Sequence, residues 1–147
     1  MSEHETQRRL DDFIQRCKSR KLSVTHQRLA IYHTLLNSPD HPSAEAIFNL
    51  IRPQYPMISL ATVYKTLETL EREKMIRKVS FPHQSVARYD ANLDRHHHLV
   101  CVKCHSVVDF YDDQLDNLRF KKRRARGFQL LDHSVQIHGI CPSCQKR

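Results

Sequence analysis

Residues 59–70 read Ser59-Leu-Ala-Thr-Val-Tyr-Lys-Thr-Leu-Glu-Thr-Leu70, and the period of this stretch decides the fold. Leu60, Val63, Leu67 and Leu70 recur at helical spacing and form one apolar face. Ser59, Thr62, Tyr64, Lys65 and Thr69 are left facing outward, with Ser59 as the N-cap. Toward the N-terminus, Ser43 caps a helix whose inner face is Ala44, Ile47, Phe48 and Ile51, and Pro53 and Pro56 end it. Thr25 caps a helix running through Leu29, Tyr32, Leu35 and Leu36, and Leu10, Phe13, Ile14 and Cys17 mark another. Toward the C-terminus, Ile76–Phe81 and Val86–Asp90 read as short strands around the turn at 82–85. Helices followed by a hairpin form the winged helix-turn-helix pattern, with the helix at 59–74 in the recognition position.

Beyond this hairpin the period changes. Residues 96–102 and 106–111 read as strands, 113–126 as a helix closed by Gly127, and 128–140 as one or two strands. The expectation is an α+β chain with a winged-helix domain over 1–84, a hinge over 85–95 and a small α/β domain over 96–147.

Cys101-x-x-Cys104 and Cys141-x-x-Cys144 are paired knuckles. Each knuckle supplies two thiolates, and together they make the tetrahedral four-sulfur set of a structural zinc. Such a site ties the end of the chain back to an earlier hairpin and contributes folding energy. Cys101-Val-Lys-Cys104-His105 also spells the haem c attachment string, but no export signal precedes it and the second knuckle would have no role. Cys17 lies on an apolar helix face and reads as a small buried hydrophobe.

The net charge of +8 points to a polyanionic partner. The first twenty residues are polar and no apolar run nears the roughly 18 residues of a membrane span, so a cytoplasmic protein without a membrane partner is expected.

His96, His97 and His98 precede the first knuckle. On a strand, His96 and His98 point one way and His97 the other. A tight turn at Lys103-Cys104 places residue 98 opposite 109, which brings Asp109 onto the face of His96 and His98. Two imidazoles and a carboxylate on one face suit a divalent metal, against the plainer reading of solvated surface histidines.

Over nearly its whole length the chain resembles the ferric uptake regulator family. The resemblance is carried by Thr25–Arg28, His41-Pro-Ser-Ala44, Ser59–Tyr64, Arg88-Tyr-Asp90, His96–His98, both cysteine knuckles and Val108-Asp-Phe110. It implies a DNA-binding domain, a dimerisation domain, a structural zinc and a regulatory Fe2+ or Mn2+ site. Matched to the family's motifs, that site comprises His41, Asp90, His96, His98 and Asp109, five N/O ligands that leave a coordination position open. Asp109, where iron-uptake regulators usually have Glu, resembles the peroxide-stress branch, and the resemblance places histidine oxidation on His41 or His96. Arg95 stands where many members carry a ligand of an additional site, and His133 then reads as structural. His26 stands where Pro is usual.

For DNA, Ser59, Thr62, Tyr64 and Lys65 are the residues expected at base edges, Tyr64 packing on thymine methyls. Arg28 suits a phosphate. Arg77 and Lys78 on the wing suit the minor groove or backbone. The basic run from Arg119 to Arg126 reads as a solvated face. A homodimer implies an inverted-repeat operator. The competing readings are a repressor that follows iron or zinc levels, and a metalloenzyme. The enzyme has no H-E-x-x-H, no nucleophile motif and little chain for a substrate pocket.

Overall fold

Hydroxyl side chains start all four N-terminal helices in the computed structural model, which describes residues 1–82, 84–118 and 124–147. Ser2 caps α1 (Glu3–Ser19), Thr25 caps α2 (His26–Leu36), Ser43 caps α3 (Ala44–Ile51) and Ser59 caps α4 (Leu60–Arg72), each accepting from a first-turn N–H. The inner faces meet in one apolar core with Phe13, Ile31, Ile47, Val63, Leu67, Leu70, Met75 and Ile76 at its centre. Phe13 and Tyr32 stack at 3.9 Å between ring centroids, joining α1 to α2. Cys17 is fully buried in this core, and burial pushes its thiol pKa up.

Strands β1 (Arg77–Val79) and β2 (Arg88–Asp90) follow as an antiparallel pair with Arg77 opposite Asp90. They are shorter than the period suggests. These helices and strands form one unit, Met1–Leu93, and Asp94–Arg147 forms a second.

In the second unit β3 (His97–Cys101) lies at the centre of a three-stranded sheet. It pairs antiparallel with β4 (Val107–Phe110), with His98 opposite Asp109. Between β4 and the next strand, α5 spans only Asp113–Asp116, where a helix to residue 126 is expected. Asn117 ends it by donating its side-chain amide to the Asp113 carbonyl, at 2.7 Å. Arg124–Ala125 (β5) and Phe128–Gln129 (β6) then pair around Arg126 and Gly127, both with positive φ. Gly127 is therefore the second residue of a two-residue hairpin turn and not a helix cap. The basic stretch at 119–123 lies outside the described residues.

The last strand, β7 (Gln136–Gly139), returns parallel to β3, with Cys101 beside Gly139. A short helix, α6 (Pro142–Gln145), follows. Leu99 faces Val108 on one side and Ile137 on the other, so the three make an apolar row across one face, and all three are exposed. Among the described residues no helix is long and apolar enough to cross a membrane.

Candidate metal centres and nucleic-acid interface

The parallel return of β7 assembles the four cysteines. Val102 N–H donates to the Gly139 carbonyl at 2.9 Å, and two residues later Cys141 N–H lies 3.4 Å from Cys101 Sγ. The four Sγ atoms lie within 4.8 Å of one another, and Cys104 and Cys141 are 3.7 Å apart. A tetrahedron with metal–sulfur bonds of about 2.3 Å has sulfurs about 3.8 Å apart, so the set fits zinc. Backbone N–H groups of Cys104 and Cys141 bring the Cys101 thiol down to about 6, and Ser106 helps lower that of Cys104. Cys144 is pushed up to about 12, chiefly by Cys141. The backbone donors thus favour the thiolate of Cys101, while Cys144 holds its proton more firmly.

Imidazole–carboxylate pairs occur in each unit. In the first, His41 Nδ1 lies 3.7 Å from Asp90 Oδ1, and both residues are buried. His41 holds φ at 50°, the left-handed region that non-glycine residues seldom adopt. Its neighbours fix it there. Arg88 donates to the Asp40 carbonyl at 2.9 Å, Tyr89 N–H to the Pro42 carbonyl at 3.1 Å, and Phe81 stacks on the His41 ring. Asp90 is oriented by accepting from Asn92 N–H at 2.7 Å.

In the second unit His96 Nε2 and His98 Nε2 lie 3.6 and 3.7 Å from Asp109 Oδ1. These spacings exceed hydrogen-bond length. They match two donors sharing one ion at about 2.1 Å each, which stand about 3–3.7 Å apart. His96 Nδ1 donates to the Asp94 carbonyl at 2.8 Å, the tautomer in which Nε2 carries the lone pair. The donor set therefore fits a hard or borderline divalent ion.

His97 points the other way and is fully buried. Its Nδ1 accepts from Val135 N–H at 3.0 Å, so its Nε2 carries the proton and donates to Asp116 at 2.9 Å. Arg95 donates to the Asp116 carbonyl and to the Asp132 carboxylate, at 2.9 and 3.1 Å. His133 Nε2 donates to the Leu115 carbonyl at 2.6 Å. These contacts tie α5 to β3 and to the approach of β7, and nothing in the sequence pattern announces them.

On α4, Ser59 Oγ accepts from Thr62 N–H at 3.1 Å and shares a 2.9 Å hydrogen bond with the Thr62 hydroxyl, so capping occupies it. Lys65 is exposed, and Tyr64 is half-buried against the core. The Tyr64 hydroxyl donates to Glu45 on α3 at 2.5 Å, a partner with no signal in the helical period. Arg28 donates to the Ser23 carbonyl. Of the two residues expected on a wing, Lys78 is exposed, whereas Arg77 donates to the Leu93 carbonyl at 2.9 Å.

The comparisons with known proteins agree on one family. The model of the Ferric uptake regulator family matches residues 19–138. The peroxide-responsive repressor PerR of Staphylococcus epidermidis is 31% identical over 137 residues, spanning 93% of this chain and 91% of that protein. The solved structure of the Helicobacter pylori ferric uptake regulator Fur, described as having three functional metal-binding sites, superposes with a TM-score of 0.76. Identity is 28%, covering 95% of this chain and 93% of that one. PerR from Streptococcus pyogenes, described in terms of peroxide sensing and gene regulation, superposes with a TM-score of 0.55 at 28% identity over 92% of each chain.

Proposed function

The chain belongs to the ferric uptake regulator family, and on that premise we propose that it is a metal-dependent transcriptional repressor that senses peroxide through Fe(II). It acts in the cytoplasm as a homodimer on an inverted-repeat operator. The observation that carries this reading is the pair of imidazole–carboxylate sets, His41 with Asp90 and His96 and His98 with Asp109, spaced for shared ligation.

Cys101, Cys104, Cys141 and Cys144 hold the structural zinc. His41, Asp90, His96, His98 and Asp109 together hold the regulatory Fe2+ or Mn2+. Two of these ligands belong to the DNA-binding domain and three to the dimerisation domain, so ligation by all five ties the domains to a common centre. By linkage, metal favours DNA binding only to the extent that it prefers the DNA-competent arrangement. The dimer is supported by the exposed row of Val108, Leu99 and Ile137, an apolar face suited to a second copy. In the helix-turn-helix reading α4 lies in the major groove with Thr62, Tyr64 and Lys65 toward the bases, the β1–β2 hairpin is the wing, and Arg28 meets a phosphate.

When bound, Fe(II) supplies the electrons that reduce peroxide. His41 and His96 are the imidazoles exposed to that chemistry. A ring that gains an oxygen atom is a weaker donor, so the ligand set releases its ion and the domains lose their tie. Asp109 has a carboxylate one methylene shorter than Glu, which would change how it reaches a bound ion and whether it chelates. The similarity to PerR supports this reading. A second reading, a repressor that follows iron or zinc level alone, is supported by the superposition on Fur.

Operator binding measured with Mn(II) and with Fe(II), each with and without hydrogen peroxide, separates the two. Peroxide should abolish binding in the Fe(II) form only, with one added oxygen on a peptide containing His41 or His96. Oxidation confined to cysteines, with zinc expelled, would overturn the mechanism. Unchanged binding of the Fe(II) form would favour the second reading.

A further inference from the structure

Glu45 is an acidic side chain in the first turn of α3, attached to the helix proposed to read DNA. Beside a polyanion a carboxylate opposes binding, so its place calls for a compensating role. Its contact with Tyr64 supplies one. The phenol donates to Glu45 Oε1 at 2.5 Å, and this bond lowers the carboxyl pKa and raises that of the phenol. The Tyr64 ring is thereby held at both ends. Its Cβ end is set by α4, between the buried Val63 and Thr66 turns, and its hydroxyl end by α3. A hydroxyl committed to an internal carboxylate is not available to donate to a phosphate, whereas the half-buried ring still presents an apolar surface.

Resting on the reading of α4 as the DNA-contacting helix, we infer that Glu45 is a specificity-positioning residue, which anchors Tyr64 by its hydroxyl so that the ring, and not the hydroxyl, reads a thymine methyl group. The contact is made in the protein without DNA, so the reader is preorganised and its ordering cost is met on folding.

The test uses the full-length zinc- and manganese-loaded protein. Its operator is recovered by selecting from a random duplex library, and thymines are replaced one at a time by deoxyuridine, which removes only the methyl. Wild type should lose about three- to tenfold in affinity at one thymine per half-site. Tyr64→Phe and Glu45→Ala should each lose most of that penalty, and Glu45→Gln, which keeps an acceptor, should retain it. Zinc content and thermal melting establish that each variant is folded. Tyr64→Phe keeps the test decisive should Glu45→Ala fail to fold. A deoxyuridine penalty in Tyr64→Phe equal to that of wild type overturns the inference while leaving Tyr64 as a reader. No penalty in wild type, with Tyr64→Ala still weakened, overturns it as well. If Tyr64→Ala binds as tightly as wild type, the reading of α4 fails and the inference falls with it.

Discussion

The two units of this chain are stabilised by different physics. Met1–Leu93 has a conventional apolar core in which Ile31, Ile47, Val63, Leu67 and Leu70 have no measurable exposure. In Asp94–Arg147 the buried side chains among the described residues are Val100, Val107, Cys101, Cys144, His96, His97 and His98. Leu99, Val102, Val108, Leu131, Phe128, Ile137 and Ile140 of that unit are exposed. A unit this small cannot bury enough apolar surface to offset its ordering entropy. It substitutes metal ligation and hydrogen-bonded histidines, and leaves apolar surface for a partner. The first unit should therefore respond to heat and cavities, the second to chelators and acid.

The largest expected break in this contrast comes from the zinc site. Cys104→Ser should abolish zinc retention and the dimer, since structural zinc contributes about 10–16 kcal/mol in small domains. Metal analysis and light scattering check it, with the α-helical signal of the first unit retained. A zinc-free protein that stays dimeric would erase the distinction between the units. Acid acts on the same site. Protons already compete with zinc at Cys144, which is pushed up to about 12, and competition at Cys101, depressed to about 6, adds to it below that pH. Zinc uptake by the metal-free protein should fall as pH drops through about 6.

The converse break is Leu67→Ala, which should cost the first unit about 2–5 kcal/mol while leaving zinc content unchanged. Thermal unfolding followed alongside zinc release measures both. Within the second unit, His97→Ala leaves Val135 N–H and Asp116 without their imidazole partner and should cost about 1–3 kcal/mol. The proposed regulatory ligands are spared, so Mn(II)-dependent operator binding should persist at reduced thermal stability. Asp109→Glu should leave stability nearly unchanged. It should keep metal-dependent DNA binding but lose much of the peroxide response, read as histidine oxidation by mass spectrometry. Ser59→Ala should cost about 1 kcal/mol through its helix cap. A loss of operator affinity beyond that stability change would restore Ser59 as a DNA contact.

Legibility in the sequence follows the same division. The helices of the first unit were legible because apolar burial imposes a period, and hydroxyl caps mark where each period begins. Opposition of His98 and Asp109 was legible because a short connection between the strands fixes the register of a hairpin, although the connection is a four-residue loop over 102–105 and not the two-residue turn expected at Lys103-Cys104. The parallel pairing of β3 with β7 was not, since a crossover across more than thirty residues has no local signature. The expected helix over 113–126 failed for a related reason. Gly127 has a positive φ in either setting, and a hairpin turn needs it as much as a helix end does. The ties from His97 to Asp116 and from Tyr64 to Glu45 were hidden because a polar contact between distant elements leaves no period.

The parallel return of β7 also sets a clock. Cys141 follows Cys101 by 40 residues, so the second knuckle leaves the ribosome about 2–8 s after the first at ordinary synthesis rates. Through that interval Cys101 and Cys104 form an open dithiol, without the second knuckle that completes their site. Thiolates are the form that peroxide attacks. If the finished protein directs oxidation to histidine, as proposed, it is most vulnerable at its cysteines while it is being made. Oxidative stress should damage newly synthesised chains before it damages the standing pool.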